Sequence, residues 1–248
     1  MTHPLRYFAT LMAVMAILML ESCIVVDDES GSFFPCLEGE GPVETSKIEL
    51  PPFTGIEDRS DVEVFLSQGP AQEVEARGHA SLLDELILEV DGQDLEIRTR
   101  RCISDNSRIR LFITIPQLDR LVNSSAADIV GESTFLSENP EITLTGSGDV
   151  KLGVLAESVK ANLSGSGSLL LEGESSSLSV KITGSGDFKG FGLTTLSTNV
   201  LISGSGDAEV FVEDYLEANI SGSGDVFFKG SPFLETRLTG SGRVVDAN

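Results

Sequence analysis

Four aspartates, Asp149, Asp187, Asp207 and Asp225, each stand directly behind a Gly-Ser-Gly triplet. Carboxylates recurring at one spacing can do two kinds of chemistry. They can gather a hard cation such as Ca²⁺, which takes oxygen ligands, or they can serve a groove that binds or processes polysaccharide. If the triplets stack in register, Asp187, Asp207 and Asp225 follow one another at about the strand spacing, ~4.8 Å. At that distance two unit charges repel by ~0.9 kcal/mol in water and ~3.5 kcal/mol at an effective dielectric of 20. Such a file is tolerable when solvated or bonded to turn amides, and it could also recruit Ca²⁺. Ser168 and Arg243 occupy the equivalent place behind two other triplets and interrupt the file. The structural alternative is that Asp is there because it accepts hydrogen bonds from nearby backbone N–H groups and favours turns.

The remaining chemistry is sparse. The chain has 248 residues, two histidines (His3 and His79) and no Trp. A His-based triad or a His-rich metal centre is hard to assemble from that set, and a Trp-lined sugar cleft is disfavoured. His79 reads as a surface turn residue. No catalytic residue is expected, and no cofactor beyond Ca²⁺. Seventeen Lys+Arg against 39 Asp+Glu give a formal net charge of −22, a surface that repels phosphate backbones and so argues against nucleic acid as a partner.

Residues 8–20 form an apolar run, FATLMAVMAILML, behind Arg6. It is shorter than the ~20 residues a spanning helix needs and fits the apolar region of a secretory signal. The run ends Leu20-Glu21-Ser22-Cys23, similar to a bacterial lipobox, in which Cys23 is acylated and becomes the new N-terminus; a plain signal peptide is the alternative. The expectation is a lipoprotein signal peptide over 1–22, a lipid anchor and acidic tether over 23–42, and a folded domain over 43–248. Attachment to the membrane runs through the lipid. With Cys23 acylated, Cys36 and Cys102 are left as an even pair in an oxidising compartment, which suggests a disulfide, with two free thiols as the alternative.

The elements that position the aspartates are read from repetition. The triplets open at Gly146, Gly165, Gly184, Gly204, Gly222 and Gly240, at spacings of 19, 19, 20, 18 and 18 residues. They close at Gly148, Gly167, Gly186, Gly206, Gly224 and Gly242. Both glycines of each triplet are read as structural corner residues. A hydroxyl residue precedes each triplet: Thr145, Ser164, Thr183, Ser203, Ser221 and Thr239. Before each triplet apolar and polar residues alternate, as in Ile142-Thr143-Leu144, and an apolar residue opens a second strand after it, Val150 through Val244. A period of two means half-buried strands. One such unit cannot hide its own apolar side, and stacking like on like does. The predicted fold is therefore all-β, a parallel β-solenoid of 18–20 residues per coil, right-handed by analogy with crossover connections. A hairpin meander would put identical corners on opposite ends. Gly suits a corner because it tolerates positive φ or close backbone approach. Residues 43–135 read as less regular coils plus a cap, and 136–248 as the regular repeats. Arg243 and Asp246 in the last coil read as polar capping, hence a monomer, with side-by-side oligomers the other option.

Pro52-Phe53-Thr54-Gly55-Ile56, Asp61-Val62-Glu63-Val64 and Gln68-Gly69, followed by the Gly-Ser-Gly-Asp corners behind a lipobox, resemble the bacterial head GIN domain family over residues 48–246. That family is described as "putative autotransporter adhesin". The resemblance implies a β-helical domain, secreted or held at the cell surface, with no catalytic residues to carry over. The expected function is adhesive or structural, in the cell envelope on an outer-membrane lipid anchor, facing outward or into the periplasm, with an unidentified protein or glycan as ligand. An envelope sensor that binds a protein is the alternative, and a polysaccharide-binding or polysaccharide-processing β-helix is a more distant one.

Overall fold

The computed structural model describes residues 36–104 and 108–248. The signal peptide, Cys23 and residues 24–35 of the tether lie outside them. No helix among the described residues is long and apolar enough to cross a membrane. Residues Cys36–Asn248 make one compact unit. It is 60% strand and 2% helix, and its parallel coils stack into a β-solenoid of about seven turns.

Each turn is two strand legs joined by a corner. The regular run begins at β8 (Arg120–Asn123) and β9 (Ile129–Leu136), and continues through β10 (Glu141–Leu144) and four long bent strands. These are β11 (Val150–Leu163), β12 (Leu169–Ile182), β13 (Phe188–Ile202) and β14 (Ala208–Ile220). It finishes with β15 (Val226–Lys229), β16 (Phe233–Leu238) and β17 (Val244–Asp246). Each long strand serves as the second leg of one turn and the first leg of the next. Pairing is parallel and keeps like opposite like: Ile142 stands beside Ala161, Leu163 beside Ile182, and Val200 beside Ala218. The alternating residues thus form continuous inner columns, fully buried at Leu144, Leu163, Ile182, Ile202 and Ile220. Burying an aliphatic side chain of this size stabilises by ~1.5–3 kcal/mol, and here the residue of each turn is buried only because its neighbours lie above and below.

The first third is built differently. β2 (Gly55–Asp58) and β3 (Glu63–Gln68) form a coil, as do β6 (Asp94–Thr99) and β7 (Arg110–Ile115), but these coils do not stack in chain order. β2 lies between β6 and β8, and β3 between β7 and β9. The excursion between them reverses direction. β4 (Glu73–His79) runs antiparallel to β7, and β5 (Leu86–Asp91) forms an antiparallel hairpin with β6 across Gly92, whose φ is +64°. The one-turn helix α1 (Ala80–Leu83) joins β4 to β5 and buries Leu82, while β1 (Val43–Lys47) adds antiparallel to β4. Ile48 and Leu50 also pack on the core at this end. A disulfide joins Cys36 to Cys102, and Leu37 bridges to Ile103, so residues from Cys36 onward are held to the domain. His79 ends β4, half-buried, with Nδ1 2.8 Å from the Gly41 carbonyl oxygen.

Candidate functional site

All six Gly-Ser-Gly corners lie in one file along one edge. Each serine N–H donates to a carbonyl of the corner before it: Ser166 to Gly146 at 3.1 Å, Ser185 to Gly165 at 3.1 Å, Ser205 to Gly184 at 2.9 Å and Ser223 to Gly204 at 2.9 Å. These bonds draw successive backbones together, and that closeness dictates glycine. The opening glycines show it first. A Cβ on Gly184 would stand 2.3 Å from the Gly165 carbonyl oxygen, and one on Gly240 1.9 Å from that of Gly222.

The closing glycines Gly148, Gly167, Gly186, Gly206, Gly224 and Gly242 are all buried, and each sits on the backbone of the rung before it. A Cβ on Gly148 would stand 2.0 Å from the Ala127 carbonyl oxygen, and one on Gly167 2.2 Å from that of Gly148. Further along, a Cβ on Gly206 would stand 1.9 Å from the Gly186 oxygen, one on Gly224 2.0 Å from that of Gly206, and one on Gly242 2.0 Å from that of Gly224. None of the corner glycines has positive φ. Of the two reasons a corner could need glycine, close approach is the operative one at both positions of the triplet.

The aspartates clamp rung to rung. The carboxylate of Asp149 accepts the N–H of Ser168 at 2.7 Å, that of Asp187 the N–H of Asp207 at 2.9 Å, and that of Asp207 the N–H of Asp225 at 2.7 Å. Asp225 closes the series by taking both the N–H of Arg243, at 2.8 Å, and its guanidinium, at 2.6 Å. The hydrogen bond and charge of Arg243 hold the Asp225 carboxyl below the ordinary carboxylate range. The series starts one rung earlier than the triplets do, with Asp128 accepting the N–H of Asp149 at 2.8 Å. No glycines mark the Asp128 corner, which the sequence shows only as a degenerate one over residues 122–130; its place ahead of the apolar Ile129, matching Asp149 ahead of Val150, is the signal that ties it to the series. Ser168 offers no carboxylate to the next rung and instead accepts from Lys189 Nζ at 3.2 Å. Asp187, Asp207 and Asp225 thus stand in file, each with one oxygen on a backbone amide. Among the described residues no three His, Cys, Asp or Glu side chains gather as a metal-ligand group.

What this edge presents outward is hydroxyl. Ser147, Ser166, Ser185, Ser205, Ser223 and Ser241 are exposed, one per rung. The hydrogen bonds that tie their rungs together run through the backbone, so the serine side chains face solvent in a row set by the parallel register. The hydroxyl residues Thr145, Ser164, Thr183, Ser203, Ser221 and Thr239 form a second exposed row beside them.

Two further features escaped the sequence reading. A cavity of about 450 Å³ lies on the opposite edge, where the second turns stack, lined by Leu155, Ala156, Glu174, Thr194 and Leu196 among others. The irregular second turns gave no column to read. The other is a buried polar cluster in the column that elsewhere holds Leu or Ile. Asp58 and Asn123 face each other across adjacent rungs, both fully buried. Asp58 Oδ1 accepts the Ser60 N–H at 3.0 Å and its hydroxyl at 2.6 Å, and Oδ2 lies 2.7 Å from Ser125 Oγ. Ser125 Oγ is also 2.9 Å from Asn123 Oδ1 and 3.3 Å from the Ala127 carbonyl oxygen, which Asn123 Nδ2 already serves, so its single proton is contested chiefly by Asp58 and Asn123. A protonated Asp58 removes that shortage by donating to Ser125, which then donates to Asn123. Burial pushes the Asp58 carboxyl up to about 6, against the opposing pull of the Ser60 and Ser125 hydrogen bonds.

Residues 52–232 match a family model described as "Putative auto-transporter adhesin, head GIN domain". No curated protein sequence matches the chain. Among solved structures, a putative adhesin from Bacteroides fragilis NCTC 9343 is similar at a TM-score of 0.80 and 18% identity, covering 84% of this chain and 98% of that one. A putative adhesin from Parabacteroides merdae ATCC 43184 gives 0.67 at 19% identity, with 85% and 99% covered. A protein from Parabacteroides distasonis ATCC 8503 described as a putative lipid binding protein gives 0.68 at 21% identity, with 86% and 100% covered. At these identities the likeness is one of fold.

Proposed function

The chain belongs to the head GIN domain family, described as putative auto-transporter adhesins, and from that premise we propose that it is a non-enzymatic, lipid-anchored adhesive protein of the bacterial cell envelope. The observation that carries this reading is the corner edge. Its carboxylates are committed to holding the next rung, while its serine hydroxyls face solvent once per rung in fixed register. A rigid row of identical groups suits many weak contacts to a surface that is itself repetitive, where simultaneous engagement multiplies small affinities. The Leu20-Glu21-Ser22-Cys23 run supports acylation at Cys23, and the acidic Asp27-Asp28-Glu29 behind it suits a solvated spacer that holds the solenoid off the membrane. A protein or glycan surface is the ligand.

The test uses cells carrying the full chain. Proteolysis of intact cells removes the domain if it faces outward. Attachment of those cells to neighbouring cells or to a coated surface is then compared with the triple variant Ser166→Glu, Ser185→Glu, Ser205→Glu, which alters the row without touching the rung-to-rung bonds. Loss of attachment with retained expression is expected. A domain shielded from protease, or attachment equal in the two strains, would overturn the reading.

A further inference from the structure

The two ends of the solenoid are unlike. The end carrying β1, β4 and β5 is covered by reversed strands, by α1 and by a disulfide-tied segment. At the other end β16 pairs, among the described residues, on one side only, with β14, and all six of its residues are exposed. Residues that continue the buried inner columns are bare there: Leu234 is 39% exposed and Leu238 47%, while their column neighbours Leu216 and Ile220 are 0% and 1%. Phe233, stacked on Tyr215 with ring centroids 6.1 Å apart, is 71% exposed. Arg243 and Asp246 make this end more polar, as the sequence suggested, yet they lie on and beside β17 and leave the open edge of β16 uncovered. An edge strand with free backbone groups and apolar side chains is a template for another strand.

We propose that this edge is covered by the same edge of a second copy, in a closed tail-to-tail dimer with β16 antiparallel to its twin about Thr236. The sequence Leu234-Glu235-Thr236-Arg237-Leu238 is self-complementary about that residue. Centred there, Leu234 of each copy opposes Leu238 of the other on the core side, Glu235 opposes Arg237 twice on the outer side, and Thr236 meets itself. Directly opposed residues in an antiparallel pair share a face, so only registers centred on a residue keep core side against core side. Shifting the centre to Glu235 puts two carboxylates together, and shifting it to Arg237 puts two guanidinium groups together, both destabilising. Within the chain Glu235 accepts from the Tyr215 hydroxyl at 2.8 Å, and Arg237 makes no ion pair among the described residues. A twofold axis normal to this leg leaves the interior of one solenoid continuous with the interior of the other. It also consumes the open edge of β16, so no third copy can add to that leg.

The full chain, solubilised in dodecyl maltoside, is measured by light scattering after subtraction of the detergent. Twice the protomer mass is expected. Glu235→Arg opposes arginine to arginine and weakens the dimer at least about tenfold, while Glu235→Arg combined with Arg237→Glu restores it, although both variants lose the bond to Tyr215. Thr236→Cys gives a covalent dimer on oxidation, because the two copies of that residue face each other on the axis. A protomer mass for the wild type, an open-ended ladder of larger species, failure of the double exchange to restore what Glu235→Arg removes, or no cross-link at 236 would each overturn the proposal.

Discussion

The rungs up to the corner at residues 124–128 and the rungs from Gly146 onward solve one problem, holding a coil on its neighbour, by different means. In the earlier rungs the outer faces are tied by arginines reaching across strands, as Arg110 does to Glu63 at 3.0 Å and Arg120 to Asp94 at 2.9 Å. Corner positions there carry side chains that turn inward, with Ser60, Val62, Ser125 and Ala127 all buried. In the later rungs the corners have no side chain to turn inward. Backbone lies on backbone, and aspartates staple the amides. The earlier construction admits reversal, a change of stacking order and a polar cluster in the core. The later one repeats a single geometry and tolerates almost no departure from it. The comparison teaches that regularity in this fold is enforced at the corner, by the absence of a Cβ, more than along the strands.

The largest effect that would break this contrast is at a corner glycine. Gly204→Ala sets a methyl against the Gly184 carbonyl oxygen at 2.0 Å, and Gly206→Ala does the same to Gly186 at 1.9 Å. Those carbonyls belong to rungs bonded on both sides and cannot retreat. Each change is expected to destabilise by at least about 3 kcal/mol, at the upper end of overpacking, and the pair to abolish cooperative unfolding followed by circular dichroism. Ala127→Gly, in the file that Gly148, Gly167, Gly186 and Gly206 continue, should change stability by no more than about 1 kcal/mol. Equal effects at Gly206 and Ala127 would erase the distinction between the two constructions.

The second test addresses the polar cluster. The folded Asp58 carboxyl, at about 6, lies above its ordinary value of 3.8. A raised acid favours the protonated folded state. Its contribution to stability is full below about pH 4 and is lost as pH rises through 6, by up to about 3 kcal/mol for a shift of this size. Asp58→Asn holds the group neutral throughout and copies the residue one rung along, Asn123. Urea unfolding of the two proteins between pH 4 and pH 7 should therefore show the variant gaining on the wild type as pH rises. Asp225 and Glu85, whose carboxyls sit below the ordinary range, pull the other way in both proteins and cancel in the difference. A difference that stays flat with pH would mean that Asp58 is ionised in the core.

The two regions were also unequally legible in the sequence. The triplets, the hydroxyl residues before them and the alternation around them are local patterns with one spacing, and a translational stack maps such a pattern directly onto space. Parallel coils and the single file of corners follow from that. The insertion of β2 between β6 and β8 has no local signature. Gly55, Asp94 and Arg120 meet only because the chain leaves, reverses through β4 and β5, and returns, and nothing in a window of about 20 residues, one coil of a repeat architecture, encodes that order. Polar residues at Asp58 and Asn123 hid their burial for the same reason, since the bond that joins their two rungs, from Ser125 Oγ to Asp58, spans 67 residues of sequence. The aspartates were legible as a column and ambiguous in role: their spacing can be read along the chain, while only coordinates show that each carboxylate reaches the amide of the next rung.

The smallest effect sharpens the comparison most, because two terms of similar size compete in it. Removing the staple by Asp207→Ala leaves the Asp225 amide without its carboxylate, a loss of about 1 kcal/mol for a partly exposed hydrogen bond. It also relieves repulsion, chiefly from Asp187 because Arg243 offsets the charge of Asp225, worth ~0.9 kcal/mol at the strand spacing in water and less as salt screens it. At low ionic strength the two nearly cancel and the melting temperature should hardly move. At high salt the repulsion is already screened, so only the lost bond remains and the variant should melt below the wild type. Asp207→Asn keeps an acceptor for the amide while discarding the charge. It should be stabilising at low salt and neutral at high salt. If Asp207→Ala and Asp207→Asn instead shift together at every salt concentration, the aspartates matter through their charge alone, and the backbone contact between glycines would be left as the sole device that keeps the later rungs in step.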